Sequence, residues 1–471
     1  MTIFAGPNET LMAFDNRDSI DFGAERIPKL FRSIFIPTLL GMLADVAFML
    51  TDGIFVGHGV GPEGIACVNL ICPTMMLITG IGVMFGMGSS VVAAIHLAKD
   101  NGKAARINIS QAFRASIALS LVVVAALYCF PAGIMGILGV SKELTPLASE
   151  YYFWFVPSCF FIMIQIVGSF IIRLDGSPNY SMLATVVPSA VNIILDYTFI
   201  FPCHMGLKGA ALATDIGTGI GTLMTFYYMF FKAEKLKFYH MKATLTSFRL
   251  GLRNVGYMIK VGFSGFIGEF AASVMILTGN LSFGKYLGDT GIAAFSVICY
   301  LFPVLINVFL AVSSSAQPII SFNHGAQNKS RVSDTFRYSV TVSMVFALLG
   351  TLAFIFLAPT IIAIFLERGS ETFTLAAHGL PLFAVGFMFM GFNLSTIGYF
   401  QSIEKSGTSI VLTLLRGFIL IIAAFAALPP LFGTAGLWLS VPASEALTAL
   451  VGAFLLAKDF TGTAPTQVPS A

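Results

Sequence analysis

Six carboxylates interrupt otherwise apolar stretches of this chain: Asp45, Asp52, Asp196, Asp215, Glu269 and Glu445. An ionisable group at the centre of a membrane-spanning helix costs ~2.5–3.5 kcal/mol on insertion scales, so such residues mark ion or substrate paths by default. Two carboxylates close together in a weakly hydrated space cannot both hold a charge cheaply, and a proton or a metal cation relieves them. Their chemistry is therefore cation binding and release. No Lys or Arg reads as lying at comparable depth, so the interior is expected to be acidic throughout and suited to protons or other cations and to cationic substrates. Depth ranks the six. Asp52 and Asp196 each lie five residues before the outer end of their apolar run, and Asp215 about seven residues into the next. At 1.5 Å per residue all three sit roughly 8–10 Å below the outer rim. Asn192 is one helical turn from Asp196 and shares its face, while Asp45 and Asp52, two turns apart, occupy roughly one face of the first run. Asp52 and Asp196 are the leading candidates; Asp45, Asp215, Glu269 and Glu445 are secondary.

Composition dictates the elements that carry them. The 471 residues are 56% hydrophobic and only 10% charged, with a mean hydropathy of +0.87, against ~25% charged in a soluble domain. Long unbroken apolar runs exclude an outer-membrane barrel, and 46 Phe exclude a disordered chain. Twelve stretches are long enough to span a bilayer as helices: 31–57, 66–97, 108–138, 149–173, 180–201, 208–231, 259–287, 291–321, 335–365, 376–402, 407–431 and 435–457. The expected fold is an all-α polytopic membrane protein. Its parts are an N-terminal segment (1–30), an N-lobe of six spans (31–231), a basic linker (232–258), a C-lobe of six spans (259–457) and a tail (458–471).

With the N-terminus inside, 22 of the 26 Lys and Arg fall on the inner side, counting Arg173 and Arg416 as helix-end charges. The positive-inside rule then puts both termini and the linker in the cytoplasm and the protein in the cell's inner (plasma) membrane. Residues 1–26 are mixed in charge and have no signal-peptide pattern. A net charge of +3 gives no reason to expect nucleic acid. The six cysteines form no zinc or disulfide framework and read as small packing residues.

The two halves echo each other. Gly61-Pro-Glu-Gly64-Ile65-Ala66 recurs 227 residues later as Gly288-Asp-Thr-Gly291-Ile292-Ala293, and Gly206, Gly209 and Leu212 recur as Gly433, Gly436 and Leu439 at the same offset. Ser110-Gln-Ala-Phe113-Arg114 matches Ser333-Asp-Thr-Phe336-Arg337 at 223. Six spans per half means that both halves enter the membrane in the same direction, a parallel repeat whose two pseudo-symmetric lobes flank a central cleft and rock about it. At the offset of 227, Asp52 falls on Gly279 and Asp196 on Ala423. The outer acids therefore belong to the first half alone. Walker A, H-E-x-x-H and G-x-S-x-G motifs are missing from the sequence, so neither an ATP-driven pump nor an enzyme is expected, and no cofactor. Gly82-x-x-x-Gly86 and Gly217-x-x-x-Gly221 read as close helix packing.

Several segments carry a family resemblance. They are Pro37 with Thr51, Asp52 and Gly57; the run Arg173, Leu174, Asp175, Gly176, Ser177, Pro178; Asn192 to Asp196 followed by Phe199 to Phe201; Gly206 to Thr214; and Gln317, Pro318, Asn323 and Gly325. With these, the chain over about residues 28–457 resembles the multidrug and toxin extrusion (MATE) family, in its DinF/MepA-like branch. The resemblance implies an exporter of amphipathic, often cationic compounds in exchange for inward H⁺ or Na⁺. It also implies an N-lobe ion site formed by Asp52, Asp196, Asn192 and Thr214, with Na⁺ one ion for Asp52 and Asp196. Glu269 falls where some members carry a helix 7 glutamate but lacks a helix 10 aspartate partner, and Asp215 departs from a usually apolar position.

The leading reading is a secondary antiporter working by alternating access as a monomer, with the bilayer and small amphipathic molecules as its only partners. The alternative is a flippase for lipid-linked oligosaccharide or peptidoglycan precursors from the same superfamily, whose cavity should be cationic to hold a diphosphate. A sensor or channel-like protein is a third class. The linker 232–258 is expected on the cytoplasmic face without transport chemistry, and Arg173 is expected to snorkel to head groups and cap the turn 175–178.

Overall fold

A computed structural model describes residues 20–138, 140, 142–241 and 244–462. The N-terminal segment up to 19, residues 242 and 243 of the linker, and the tail beyond 462 lie outside the described residues. Among the described residues the secondary structure is entirely helical. In chain order the helices are α1 (Ile27–Gly59), α2 (Pro62–Ala98), α3 (Gly102–Cys129), α4 (Pro131–Ile137), α5 (Thr145–Leu174), α6 (Pro178–Ile200), α7 (Gly206–Tyr227, continued by a π-turn Tyr228–Lys232), α8 (Leu245–Gly325), α9 (Lys329–Phe356), α10 (Ala358–Ile362), α11 (Glu371–Ala384), α12 (Gly386–Ser402), α13 (Ser406–Leu414, continued by a π-turn Leu415–Ile419) and α14 (Leu420–Gly462).

Among the described residues the helices supply the twelve expected spans, α7 being the least apolar of them. Helices α8 and α14 are each broken by one non-helical glycine, Gly288 (φ 61°) and Gly433 (φ 59°), and supply two apolar stretches apiece. Helices α11 and α12 form one span bent by 42°. The break glycines need the left-handed region that other residues enter only at a cost. Their positions also reveal the duplication in the backbone. Gly61 and Gly288, Asp100 and Gln327, and Gly206 and Gly433 are pairs of positive-φ residues 227 apart, and Gly176 pairs with Glu404 at 228. The sequence echo is thus an echo of turns.

The chain forms two compact units. Unit 1 comprises residues up to Ile71, Val92–Val255 and Gly325–Asn328; unit 2 comprises Cys72–Val91, Gly256–His324 and the residues from Lys329 onward. In unit 1, α6 packs on α1 and α7, and α5 on α7 and α3. In unit 2, α12 packs on α9 and α14 around an aromatic core. There Phe283 stacks on Phe295 at 4.7 Å and meets Trp438 edge-on at 4.6 Å.

The basic segment after α7 is folded onto unit 1. Asp175, in the turn after α5, accepts hydrogen bonds at Oδ1 from the backbone N–H of Lys235 (3.0 Å) and Leu236 (2.8 Å), and at Oδ2 from the N–H of Glu234 (3.0 Å) and the Tyr228 hydroxyl (2.7 Å). Ala233 and Leu236 are buried. This corrects the expectation for Arg173. It is 6% exposed, with its guanidinium 4.6 Å from the Phe170 ring centroid, and does not snorkel outward. Residues 233–236 cover that helix end, and the turn is organised by the Asp175 carboxylate. Cys129 and Cys203 are exposed, contrary to the packing role expected of all six cysteines.

Candidate ion-coupling site

Unit 1 brings Asp52, Asp196, Asn192 and Thr214 together. Helices α1 and α6 lie in a single register: Asp45 meets Ser189 and, two turns on, the Asp52 carboxyl neighbours that of Asp196, each pair 144 residues apart. The face is set partly by Pro188, which has no N–H to give to the carbonyl of Ala184. Gln165 of α5 donates its Nε2 to that carbonyl at 3.0 Å, so the interruption is absorbed without an unpaired group. Helix α7 supplies Thr214. At Gly217, one turn further, a Cβ would stand 3.0 Å from both the Asn192 Cβ and the Pro188 carbonyl oxygen. Only the absent side chain lets the two backbones approach this closely, as the small-residue spacing predicted.

The hydrogen bonds of the group can be followed to their end. Thr214 Oγ1 donates to the Ala210 carbonyl at 3.1 Å and accepts from Asn192 Nδ2 at 3.4 Å. Asn192 Oδ1 therefore points away from Thr214, and it is buried without a donor. Both carboxylate oxygens of Asp196 are buried as well, and the neighbouring Asp52 carboxyl, once protonated, is the one group placed to donate to them among the described residues. Asp196 is fully buried and Asp52 half-buried. Unmet buried acceptors cost ~1–3 kcal/mol each, and more when charged. An oxygen-only set of this kind is what protons and hard cations bind.

The remaining acids are separate from this group. Asp45 is exposed and accepts from Ser189 Oγ at 3.3 Å. Asp215, although next to Thr214 in sequence, turns towards α5 beside the Ser158 backbone and Cys159, with Oδ1 unpartnered. Glu269 and Glu445 belong to unit 2, where Glu269 packs beside Gly80.

Glu445 overturns the expectation of an interior without basic residues. Arg416 is 8% exposed and Glu445 4%. Arg416 donates to Glu445 Oε1 from Nε (3.0 Å) and Nη2 (2.6 Å), and Asn393 donates its Nδ2 to Oε2 at 2.7 Å. Arg416 stands on the π-turn of the eleventh span; counting it as a helix-end charge missed that it lies nine residues inside the run starting at 407. That depth, about 14 Å of helix, was the available signal. The pair borders a cavity of about 30 Å³, room for one water, whose lining includes Gly268, Ala271 and Gly417. At the positions equivalent to Asp52 and Asp196, unit 2 carries Gly279 and Ala423, with the Phe295 ring pressed against Gly279.

Twelve spans, a parallel repeat and buried acids together define a membrane transporter. The profile of the MatE family matches residues 37–198 and 266–428, one match in each half. The chain belongs to the MATE family. It is 26% identical over 442 residues to the multidrug export protein MepA of Staphylococcus haemolyticus, covering 92% of this chain and 94% of that protein. MepA of Staphylococcus aureus is also 26% identical, over 434 residues, covering 89% and 91%. Among solved structures, a multidrug resistance MATE family transporter of the MOP superfamily, described in an outward-facing conformation, superposes with a TM-score of 0.86 at 22% identity, covering 93% of this chain and 97% of that one.

Proposed function

We propose that this protein is a secondary antiporter that exports amphipathic, often cationic organic compounds from the cytoplasm in exchange for H⁺ or Na⁺ by alternating access. The observation that carries the reading is the group of buried, donor-less acceptor atoms on Asp196 and Asn192 beside the Asp52 carboxyl. Three such atoms in contact with no fixed cation call for a mobile one. The half-buried Asp52 is the entry side of the pair, the fully buried Asp196 its inner member, and Asn192 and Thr214 complete the oxygen set. The two carboxylates titrate as one unit, so loading is a property of the pair. The ion drives transport only to the extent that it binds one conformation better than another. On the strength of its Lys and Arg distribution both termini are cytoplasmic and the membrane is the inner (plasma) membrane; within this scheme the chain works as a monomer without catalytic chemistry.

Flippase activity is disfavoured in this scheme. The buried cation of unit 2, Arg416, is already neutralised by Glu445 and is not free to hold a diphosphate. Proteoliposomes loaded with a fluorescent organic cation and given either a proton or a Na⁺ gradient test the proposal. One of the two gradients should drive uphill movement; an electrically and chemically inert response to both would refute it.

A further inference from the structure

The linker presents a face that the transport scheme does not use. Residues 233–241 and 244–255 are tied to unit 1 at four places besides the Asp175 turn. Arg106 Nε donates to the Lys235 carbonyl at 3.0 Å, the Tyr239 N–H donates to Ser110 Oγ at 2.7 Å, Asn254 Nδ2 donates to Gln111 Oε1 at 2.5 Å, and the Phe238 ring lies 5.1 Å edge-on to that of Phe113. These partners fix its depth. Lys103, Arg106 and Arg114 are the charges of α3 and the run from 115 to 129 has none, so the partners at 106–113 place the segment at the level of the membrane boundary.

On the other side the segment is amphipathic in a particular way. Gly251 and Asn254 face Gln111, while Leu245 (66% exposed), Phe248 (64%) and Leu252 (58%) face outward. Interleaved with them are Arg249 and Arg253, both exposed and without an ion-pair partner among the described residues, and Lys235 and Lys237 are exposed on the preceding stretch. Glu234 is the single acid of the segment. Large apolar side chains alternating with unpaired cations at boundary depth fit one surface, in which acyl chains meet anionic phosphate head groups. A protein partner would need a reason for the cations to lie at that depth.

We propose that residues 235–241 and 244–255 form a binding site for anionic phospholipid, with Leu245, Phe248 and Leu252 entering the acyl boundary and Arg249, Arg253, Lys235 and Lys237 holding the head groups. The consequence is regulation: the connection between the two halves of the chain is held more firmly to an anionic membrane than to a neutral one.

The test uses the full-length protein in nanodiscs of phosphatidylcholine alone or with one third phosphatidylglycerol. Amide hydrogen exchange is read for the peptides covering 244–255. Exchange should be slower in the anionic discs, and the double variant Arg249→Gln/Arg253→Gln should lose about thirty-fold of that lipid preference, which is ~1 kcal/mol per basic residue at a membrane surface. Exchange in α5 serves as the folding control and should not change. Leu245→Ser/Phe248→Ser should speed exchange of the segment in both lipids. Equal wild-type exchange in the two lipids, or a difference that survives in the arginine double variant, would overturn the proposal. So would protection in neutral discs by free glycerol phosphate, because a soluble anion would then be the ligand.

Discussion

The two units bury charge in opposite ways. Around Asp196, unit 1 gathers carboxylate and amide oxygens and gives them no donor but a protonated Asp52 carboxyl. Around Glu445, unit 2 gives every carboxylate oxygen a donor from Arg416 or Asn393. The units are repeats of one another, and at the counterpart of the acid pair unit 2 has Gly279 under the Phe295 ring. A duplicated scaffold has therefore kept one charge site open and filled the other with aromatic packing. A paired buried charge has no need of an ion, whereas an unpaired one is stable only when an ion arrives. Burial alone would not separate the two, since Asp196 and Glu445 are both inaccessible; the donors do.

The largest expected effect is at the open site. Asp196→Asn and Asp52→Asn should abolish gradient-driven efflux in proteoliposomes. Removing a donor-less buried charge should also raise thermal stability, by ~1–3 kcal/mol for Asp196, so that the inactive protein melts higher than the active one. A lower melting temperature for Asp196→Asn would show that its oxygens are satisfied after all. At the Arg416–Glu445 pair, Arg416→Gln leaves Glu445 buried and unpaired and should cost ~3–5 kcal/mol, whereas the double replacement Arg416→Met/Glu445→Met should recover most of that loss. If the double variant also recovers transport, the pair is structural; failure to recover stability would mean that its charges do more than balance each other. Glu445→Gln is accordingly a poor control for transport, because it strands Arg416.

Smaller effects sharpen the geometry. Gly217→Ala adds a methyl 3.0 Å from the Asn192 Cβ and the Pro188 oxygen, an overpacking of ~1–3 kcal/mol. It should weaken ion dependence by moving Asn192 away from Thr214, and a shifted half-maximal ion concentration with unchanged substrate affinity is the signature to measure. Asp215→Asn should be the mildest. Its carboxyl faces Ser158 and Cys159, so transport should stay within a few-fold of wild type; a loss as deep as that of Asp196→Asn would put it inside the site.

Much of this was legible from the chain itself. Spans follow from apolar length, and depth below the rim narrows the six acids to Asp52, Asp196 and Asp215, because both depend on spacing along a helix. The residues that periodicity could not place are those decided by a neighbouring helix. Asp215 and Thr214 are adjacent but diverge by the 100° step of a helix, and only the positions of α5 and α6 say which one meets Asn192. Arg416 was hidden because charge counting assigns each basic residue to the nearer end of its span, although a guanidinium can stay inside when a carboxylate from another helix meets it. Arg173 failed for a related reason: its helix end looks open in sequence, yet a segment some sixty residues later folds over it, held by Asp175.

In the proposed exchange, the Asp52–Asp196 pair holds the ion that substrate displaces. Purified protein in weakly buffered solution, with a pH-sensitive dye and a Na⁺-selective electrode, can be titrated with tetraphenylphosphonium as a model organic cation. The wild type should release H⁺ or Na⁺ in proportion to the cation bound, Asp215→Asn should do the same, and Asp52→Asn and Asp196→Asn should bind the cation while releasing nothing. Undiminished ion release from a well-folded Asp196→Asn protein would contradict the account and move the coupling site elsewhere, with Glu269 the first residue to examine.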